Sequence, residues 1–372
     1  MYHRTLQSTV EKRIGSGKAI ILTGARQVGK TTLLTTILKD QPFLFINGDD
    51  PSARELLGNA DTERIRSVLG THRQIFIDEA QRFTQIGLTM KMITDLFPHV
   101  QLFASGSSSF DLANKLNEPL TGRKWEYHLY PISWEEFENH HGYLSAEQQL
   151  PTRLIYGFYP DLLMSPGDEI PLLRNLVNSY LYKDLLMYGE IKKPDSLDKL
   201  VRALAFQVGS EVNYHELAQI TGLDSKTVHR YVDLLEKGFV LFRVGAYSRN
   251  LRNEIKKSSK VYFYDNGVRN MIIGNFDPLA ARTDVGALWE NFLVSERIKQ
   301  LAYKEALTRV YFWRTKQKQE VDWVEDRGGK ITGFELKWKA DSSTRLPLTF
   351  TRTYDASSRV VHRSNFREFV MS

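Results

Sequence analysis

An eight-residue segment that begins at Gly24 reads GARQVGKT, and it directly follows the apolar run Ala-Ile-Ile-Leu. A G-x-x-x-x-G-K-[ST] pattern between an apolar strand and the start of a helix is typical of a phosphate-binding loop. Gly24 and Gly29 free the backbone to turn its N–H groups towards phosphate oxygens at a helix N-terminus. Lys30 would then bring a positive charge to the phosphates, and Thr31 a hydroxyl to Mg²⁺. The pattern therefore predicts a site for a nucleoside triphosphate.

We expect this nucleotide to be ATP, bound together with Mg²⁺. An ordinary glycine-rich turn would account for the two glycines, but not for Lys-Thr-Thr at the helix start after an apolar strand. The residues predicted to contact the nucleotide are those of the loop and the first helical turn: Gly24, Ala25, Arg26, Gln27, Val28, Gly29, Lys30, Thr31 and Thr32.

Length and composition limit the class of protein to which this site can belong. The 372 residues suggest two or three domains of about 100–200 residues each. No apolar run approaches the roughly 18 residues of a membrane span, and no hydrophobic secretion segment is seen, so we expect a cytoplasmic protein without a membrane partner. The absence of cysteine excludes disulfides, thiolate zinc sites and cysteine nucleophiles. A formal charge of +6 permits a nucleic-acid partner without requiring one.

Three further apolar runs each end in polar residues. They cover residues 43–47, 74–79 and 100–104, and helical stretches separate them. Near-continuous apolar strands that alternate with helices predict a parallel sheet covered on both faces. Ligands of such sheets bind at the carboxyl ends of the strands, where these polar clusters stand.

Two adjacent carboxylates end the third strand. We expect Asp78 to hold Mg²⁺ and Glu79 to polarise the water that attacks the γ-phosphate, with Lys30 as the third catalytic residue. After the fourth strand, Ser107 could sense the γ-phosphate through its hydroxyl, and a helix N-cap is the alternative interpretation.

These motifs resemble the AAA-type ATPases of bacteria and archaea. The segment 77–81 (Ile-Asp-Glu-Ala-Gln), the Gly-Ser-Ser-Ser that begins at residue 106 and the segment 120–137 carry the resemblance, the last of them to one uncharacterised prokaryotic branch. The resemblance implies that Arg123, just after Thr-Gly, is an arginine finger acting in cis or from a neighbouring subunit. A surface salt bridge is the alternative for Arg123. A finger acting in trans would make the active form a homo-oligomer.

The middle of the chain predicts a winged helix. Residues 214–223 and 224–235 read as helix, glycine turn and helix, and the second helix places Lys226, Thr227, His229 and Arg230 opposite its apolar face. Two strand-like runs, 239–244 and 260–264, enclose a basic segment. A recognition helix and a basic wing would suit DNA, whereas binding of a protein partner is the alternative.

The C-terminal segment combines a helix over 286–296 with strands over 310–314, 320–324 and 331–337. It resembles the restriction-endonuclease-like nucleases, and the residues that carry this resemblance are Glu290, Asp322, Glu335 and Lys337. Such an array implies a divalent ion that generates a nucleophilic water. A β-meander with exposed charges is the alternative.

The sequence thus predicts an α/β protein with a P-loop NTPase parallel sheet over residues 1–150. A helical linker with the winged helix follows over 151–277, and an α/β restriction-endonuclease-like domain over 278–372. The predicted activity is ATP hydrolysis with Mg²⁺ coupled to DNA binding or processing. The alternative is a signalling or scaffold ATPase with protein partners and an inactive nuclease-like domain.

Overall fold

The computed structural model describes residues 1–106, 119–178, 193–248, 259–339 and 345–371. The chain divides into two compact units. The first unit comprises Met1–Pro131 and Lys237–Phe239, and the second comprises Ile132–Glu236 and Val240–Ser372.

A five-stranded parallel sheet forms the centre of the first unit, with the strand order β2-β3-β4-β1-β5. The strands are β1 Ala19–Thr23, β2 Leu44–Asn47, β3 Gln74–Asp78, β4 Gln101–Gly106 and β5 Lys124–His128. The predicted α/β fold with a P-loop NTPase-like parallel sheet is confirmed. The fifth strand was not predicted, because its sequence KWEYH buries only one residue fully.

Apolar residues of the strands and of the helices that pack on them form the core of this unit. All five residues of β1 are buried, as are Ile75, Phe76 and Ile77 of β3. Burial on both faces of the sheet explains why these strands read as continuous apolar runs rather than alternating ones. The helices of the unit are α1 Leu6–Glu11, α2 Lys30–Leu38, α3 Pro51–Leu57, α4 Thr62–Leu69 and α5 Ile86–Leu96.

The second unit begins with helices. They are α6 Trp134–His141, α7 Tyr143–Tyr156, α8 Pro160–Met164, α9 Glu169–Val177, α10 Pro194–Phe206, α11 Tyr214–Thr221 and α12 Ser225–Lys237. Helix α11 ends at Gly222, whose φ of 67° fits glycine, and Asp224 then accepts a hydrogen bond from the Thr227 N–H at 2.9 Å. The helix, turn and helix therefore stand where the sequence predicts them.

A short antiparallel pair of strands follows, β6 Leu241–Gly245 and β7 Ser259–Phe263. Strand β6 begins two residues later than predicted, since Phe239 adopts a φ of 61° that no strand residue takes. Of the predicted basic wing, residues 249–258 lie outside the described residues.

The C-terminal part holds a second sheet with the order β11-β10-β9-β8. Strands β8, β9 and β10 are antiparallel, whereas β11 is parallel to β10. Its elements are α13 Asn266–Ile273, α14 Val285–Tyr303, β8 Arg309–Arg314, β9 Glu320–Arg327, β10 Lys330–Leu336, α15 Leu348–Tyr354, β11 Ser357–Val361 and α16 Arg367–Val370.

Helix α14 is longer than predicted by seven residues at its C-terminal end. The apolar pattern fades after residue 296 because the last turns bury charged side chains as well. Glu296 and Lys299, one turn apart, are both about 1% exposed and pair at 2.6 Å. A hydrophobicity pattern does not reveal a buried ion pair of this kind.

None of the helices that the structure describes is long and apolar enough to cross a membrane.

Candidate functional site

The predicted phosphate loop joins β1 to α2 at the carboxyl edge of the first sheet. Gly29 adopts a left-handed φ of 95° and immediately precedes the helix. Gly24 has a φ of 152°, and a Cβ atom built on it would lie 2.2 Å from the Leu129 carbonyl oxygen. Both positions therefore require glycine, the first for its backbone angle and the second for the close approach of another backbone segment.

Lys30 turns its side chain back into this loop. It is only 6% exposed, and its Nζ donates hydrogen bonds to the carbonyl oxygens of Gly24 at 2.9 Å and Ala25 at 2.7 Å. The ammonium group thus stands inside the curve of the loop, where phosphate oxygens of a nucleotide would need a positive charge.

Two hydroxyl groups converge on Asp78 at the end of β3. The Thr31 Oγ1 donates to Asp78 Oδ2 at 2.8 Å, and the Ser105 Oγ donates to Asp78 Oδ1. Asp78 is 9% exposed, and its Oδ1 also accepts the Glu79 N–H at 3.1 Å. The structure therefore brings together the loop threonine and the strand-end carboxylate that the sequence assigned to one Mg²⁺ site.

Ser105 is a member of this group that the sequence analysis missed. It is fully buried at the end of β4, paired in register with Leu22 of β1. The signal was present, since a serine that ends an apolar strand in a parallel sheet faces the ligand edge. The predicted γ-phosphate sensor, Ser107, lies outside the described residues.

Glu79 follows directly after β3 in a left-handed conformation, with φ 48° and ψ 46°. A non-glycine residue in this region costs about 1–2 kcal/mol, so the surrounding turn must hold it there. Gln81 helps to do so, because its Nε2 donates a hydrogen bond to Glu79 Oε2. Glu79 therefore lies beside the Asp78 site, with its carboxylate oriented by a side-chain amide.

His128, at the end of β5, is a second residue that the sequence analysis missed. Its Nδ1 lies 3.3 Å from the Thr23 hydroxyl, next to the start of the loop. Burial, aided by the positive charge of Lys30, lowers the pKa of His128 to about 3. The imidazole is therefore neutral at physiological pH and does not add a second positive charge beside Lys30.

Arg4 contacts the outer side of the phosphate loop. Its side chain is buried, and it donates hydrogen bonds to the Val28 carbonyl at 2.7 Å and to the Tyr130 carbonyl at 2.6 Å. Because a trans peptide is planar, the Val28 carbonyl and the Gly29 N–H point in opposite directions. An arginine that holds this carbonyl outwards therefore turns the Gly29 N–H towards the inner side of the loop.

Arg123 stands at the other end of the sheet. Its carbonyl accepts the N–H of Ala19, the first residue of β1, so four residue steps of about 3.3 Å separate it from the end of that strand. Its Nε pairs with Asp95 Oδ1 at 2.6 Å on the surface. Within its own domain Arg123 is thus too far from the loop to act as a finger in cis. A role in trans stays a prediction.

The predicted recognition helix α12 buries one face and exposes the other. Val228, Tyr231, Val232, Leu234 and Leu235 are buried, whereas Lys226, His229 and Arg230 are exposed. Thr227 belongs to the N-terminal cap, since its hydroxyl donates to Asp224 at 2.7 Å. The exposed face is therefore basic, as predicted, but without Thr227.

The four predicted nuclease residues come together in the second unit. Lys337 Nζ lies 2.6 Å from Glu335 Oε1 and 3.6 Å from Asp322 Oδ2. Glu290 approaches from α14, and its charge and that of Asp322 influence each other. Lys260, which was not predicted for this group, also belongs to it, since its Nζ pairs with Glu290 Oε1 at 3.2 Å.

Known proteins resemble this chain in three successive stretches. Residues 16–138 match the model of a AAA domain, and residues 147–279 and 285–370 match two domains of unknown function, DUF8612 and DUF4143. The chain carries a AAA-type P-loop ATPase domain. This ATPase domain contains every described residue of the nucleotide site except Arg4, which precedes the matched stretch.

Relatives that align along most of the chain occur in bacteria and archaea. An uncharacterised protein of Mycobacterium tuberculosis is 26% identical over 339 residues, which are 90% of this chain and 73% of that protein. One of Methanocaldococcus jannaschii is 20% identical over 346 residues, 86% of this chain and 75% of that protein. A solved Walker-type ATPase of Pyrococcus abyssi is 16% identical with a TM-score of 0.49, covering 73% of this chain and 96% of its own.

The two sites differ in how well they fit a divalent ion. In the ATPase domain the Thr31 hydroxyl and the Asp78 carboxylate form a set of hard oxygen donors beside the phosphate loop, which suits Mg²⁺. In the C-terminal cluster the carboxylates already pair with lysines. Among the residues that the structure describes, no group of three or more His, Asp or Glu side chains is arranged to hold a metal ion.

Proposed function

We propose that the ATPase domain hydrolyses ATP with Mg²⁺ and that DNA binding through α12 controls the rate. The observation that carries the hydrolytic part is the hydrogen bond between the Thr31 hydroxyl and the Asp78 carboxylate, 47 residues apart in sequence. It joins the phosphate loop to the end of β3 at one point. Together with Lys30 inside the loop, it supports an ATP–Mg²⁺ site with a catalytic carboxylate, Glu79, next to it.

Each residue has a distinct part in this mechanism. The loop N–H groups and Lys30 bind the phosphates and stabilise negative charge as it develops on them. Thr31 and Asp78 would hold the Mg²⁺ ion, which neutralises phosphate charge when it is bound. Glu79 accepts a proton from the attacking water, and Gln81 keeps its carboxylate in position.

The exposed face of α12 supports the DNA part of the proposal. Lys226, His229 and Arg230 lie on the side of the helix opposite its buried residues, and His229 stacks on Tyr214 with ring centroids 3.5 Å apart. A helix-turn-helix followed by an antiparallel strand pair is the element order of a winged helix. Cationic side chains on the second helix suit base edges and phosphates in the major groove.

The test is the steady-state rate of ATP hydrolysis at low salt, with and without duplex and single-stranded DNA. Glu79→Gln serves as the blank, since it keeps the nucleotide site but lacks the carboxylate. We expect DNA to raise the rate of the wild-type protein. The variant Lys226→Ala/Arg230→Ala should lose this response and keep the basal rate. Arg202→Ala, which removes an exposed arginine of α10 in the same unit, is the matched control.

A DNA-independent rate together with a normal basal rate would contradict the DNA part alone. It would favour the alternative function, a signalling or scaffold ATPase with protein partners. A wild-type rate equal to that of Glu79→Gln would contradict the hydrolytic part.

Metal-dependent cutting by the C-terminal domain is not part of this proposal and stays a prediction. The order helix, three strands, helix and strand in α14–β11 supports the resemblance to restriction-endonuclease-like domains. The pairing of Glu290 with Lys260, a lysine outside the predicted array, argues against a metal site there.

A further inference from the structure

Lys260 of β7 is buried among the acidic residues of the C-terminal cluster. It is 2% exposed, and its Nζ lies 3.2 Å from Glu290 Oε1 and 2.5 Å from Glu320 Oε1. The ammonium also stands 5.5 Å from the centroid of the Phe312 ring. A buried ammonium group is costly unless it is paired, so these contacts fix Lys260 at a place where positive charge is needed.

The other acidic residues of the cluster are engaged as well. Lys337 bridges Glu335 and Asp322, and the Asp322 Oδ2 also accepts the Leu336 N–H at 2.8 Å. Two ammonium groups therefore face four carboxylates, those of Glu290, Glu320, Asp322 and Glu335.

Two further groups lie against the Glu290 carboxylate, the Tyr262 hydroxyl and the backbone of Gly209. Its Oε1 accepts the Tyr262 hydroxyl at 2.7 Å, and a Cβ atom built on Gly209 would lie 3.2 Å from the same oxygen. Gly209 has a φ of 75°, so its backbone packs directly onto the carboxylate. An ion that takes about six oxygen ligands would have to displace Lys260 before it could use this oxygen.

We propose that Lys260 is the resident cation of this cluster and takes the place that a divalent metal ion would hold in a metal-dependent nuclease. Lys260 then supplies, beside Glu290 and Glu320, the positive charge that a metal ion would otherwise bring. Its role is to fasten the β6–β7 strand pair to α14 and β9 by ion pairs from one lysine. This inference is independent of the proposed ATPase function.

The test is a titration of the nucleotide-free full-length protein with Mn²⁺, followed by the electron paramagnetic resonance signal of the free ion. We expect the wild-type protein and Asp322→Asn to give the same curve, because the cluster does not bind the ion. Lys260→Met should gain one bound Mn²⁺ that the wild-type protein lacks, because the competing buried ammonium group is removed. Lys260→Met/Asp322→Asn should lose this ion again.

Thermal unfolding provides a second readout. Lys260→Met should unfold at lower temperature than the wild-type protein in EDTA and recover in part on addition of Mn²⁺, whereas the wild-type protein should not respond. Lys330→Met, which removes an exposed lysine of β10, is the matched control and should behave like the wild-type protein.

Two results would overturn the inference. One is a Mn²⁺ ion bound by the wild-type protein and lost in Asp322→Asn, which remains decisive even if Lys260→Met fails to fold. The other is a folded Lys260→Met that gains no Mn²⁺.

Discussion

At the scale of single residues, Arg4 acts on the phosphate loop through the backbone, because it donates a hydrogen bond to the Val28 carbonyl oxygen. Its two hydrogen bonds to backbone carbonyls are charge-assisted and buried, so we expect their loss to be felt in the geometry of the loop.

We predict that Arg4→Met weakens ATP binding about 10- to 100-fold, in line with the roughly 1.5–3 kcal/mol of a hydrogen bond to a charged group. The rate constant at saturating ATP should change much less, because Glu79 and Asp78 are untouched. Equilibrium binding of a fluorescent ATP analogue and the steady-state rate measure the two effects separately. Arg13→Met, which removes a guanidinium stacked 4.0 Å from the Trp125 ring, is the control with unchanged affinity.

A second prediction concerns the neutral imidazole beside Lys30. Because the pKa of His128 is about 3 in the folded protein and near the ordinary 6.5 in the unfolded chain, the unfolded state binds more protons between these values. Stability should therefore be fully present above pH 6.5 and fall as the pH drops towards 3. Urea unfolding as a function of pH should show a shallower loss for His128→Asn than for the wild-type protein. The exposed His99→Asn should follow the wild-type curve.

At the scale of elements, the start of helix α6 carries a complete capping box. Ser133 accepts the Glu136 N–H through its Oγ, and Glu136 accepts the Ser133 N–H through its side chain. We predict that Ser133→Ala lowers the free energy of unfolding by about 1 kcal/mol, because a buried helix start loses its hydroxyl partner. Chemical denaturation measures this change. Ser145→Ala, in the first turn of α7 but without a capping hydrogen bond, serves as the comparison, and an equal loss in both variants would contradict this prediction.

The helices and strands also show which parts of the fold could be predicted from the sequence. The phosphate loop, β3 and its two carboxylates were predictable, because their pattern combines apolar strands with polar ends in fixed order. Strand β5 (Lys124–His128) was not predictable, because it contains several charged and polar residues and buries only one residue fully. Such a composition is also typical of a loop. The C-terminal turns of α14 were missed because buried ion pairs replace apolar residues there.

The candidate sites divide in the same way. Residues related by local spacing, such as Lys30 with Thr31 or Glu335 with Lys337, could be named from the sequence, and their roles stay predictions. Residues brought in from distant positions were not: Arg4 reaches Tyr130 across 126 residues, and Lys260 reaches Glu290 across 30. Such contacts depend on how elements pack, and a single sequence does not specify that packing by any short pattern.

At the scale of the whole molecule, the position of Arg123 bears on whether one chain is sufficient for catalysis. Arg123 lies away from the phosphate loop of its own domain, so a finger function requires a second copy. If it acts in trans, an equimolar mixture of Glu79→Gln and Arg123→Ala should hydrolyse ATP faster than the sum of the two variants alone. The Glu79→Gln copy would then supply its Arg123 to the site of the Arg123→Ala copy, which retains Glu79.

The control is Asp95→Ala, which frees Arg123 from its surface ion pair without removing it. This variant should keep the wild-type rate, because an exposed pair contributes only about 0–1 kcal/mol. A mixture that is merely additive would assign Arg123 to the surface salt bridge alone.

The position of β1 in the first sheet affects how rigidly the start of the phosphate loop is held in place. Because β1 hydrogen-bonds to β4 on one side and β5 on the other, its amides exchange with solvent only when one of these neighbours separates from it. The edge strand β2 does not border β1, so it can fray without moving the point where the phosphate loop begins. Nucleotide affinity should therefore be insensitive to fraying of β2, and this edge of the sheet is where the fold can tolerate insertions.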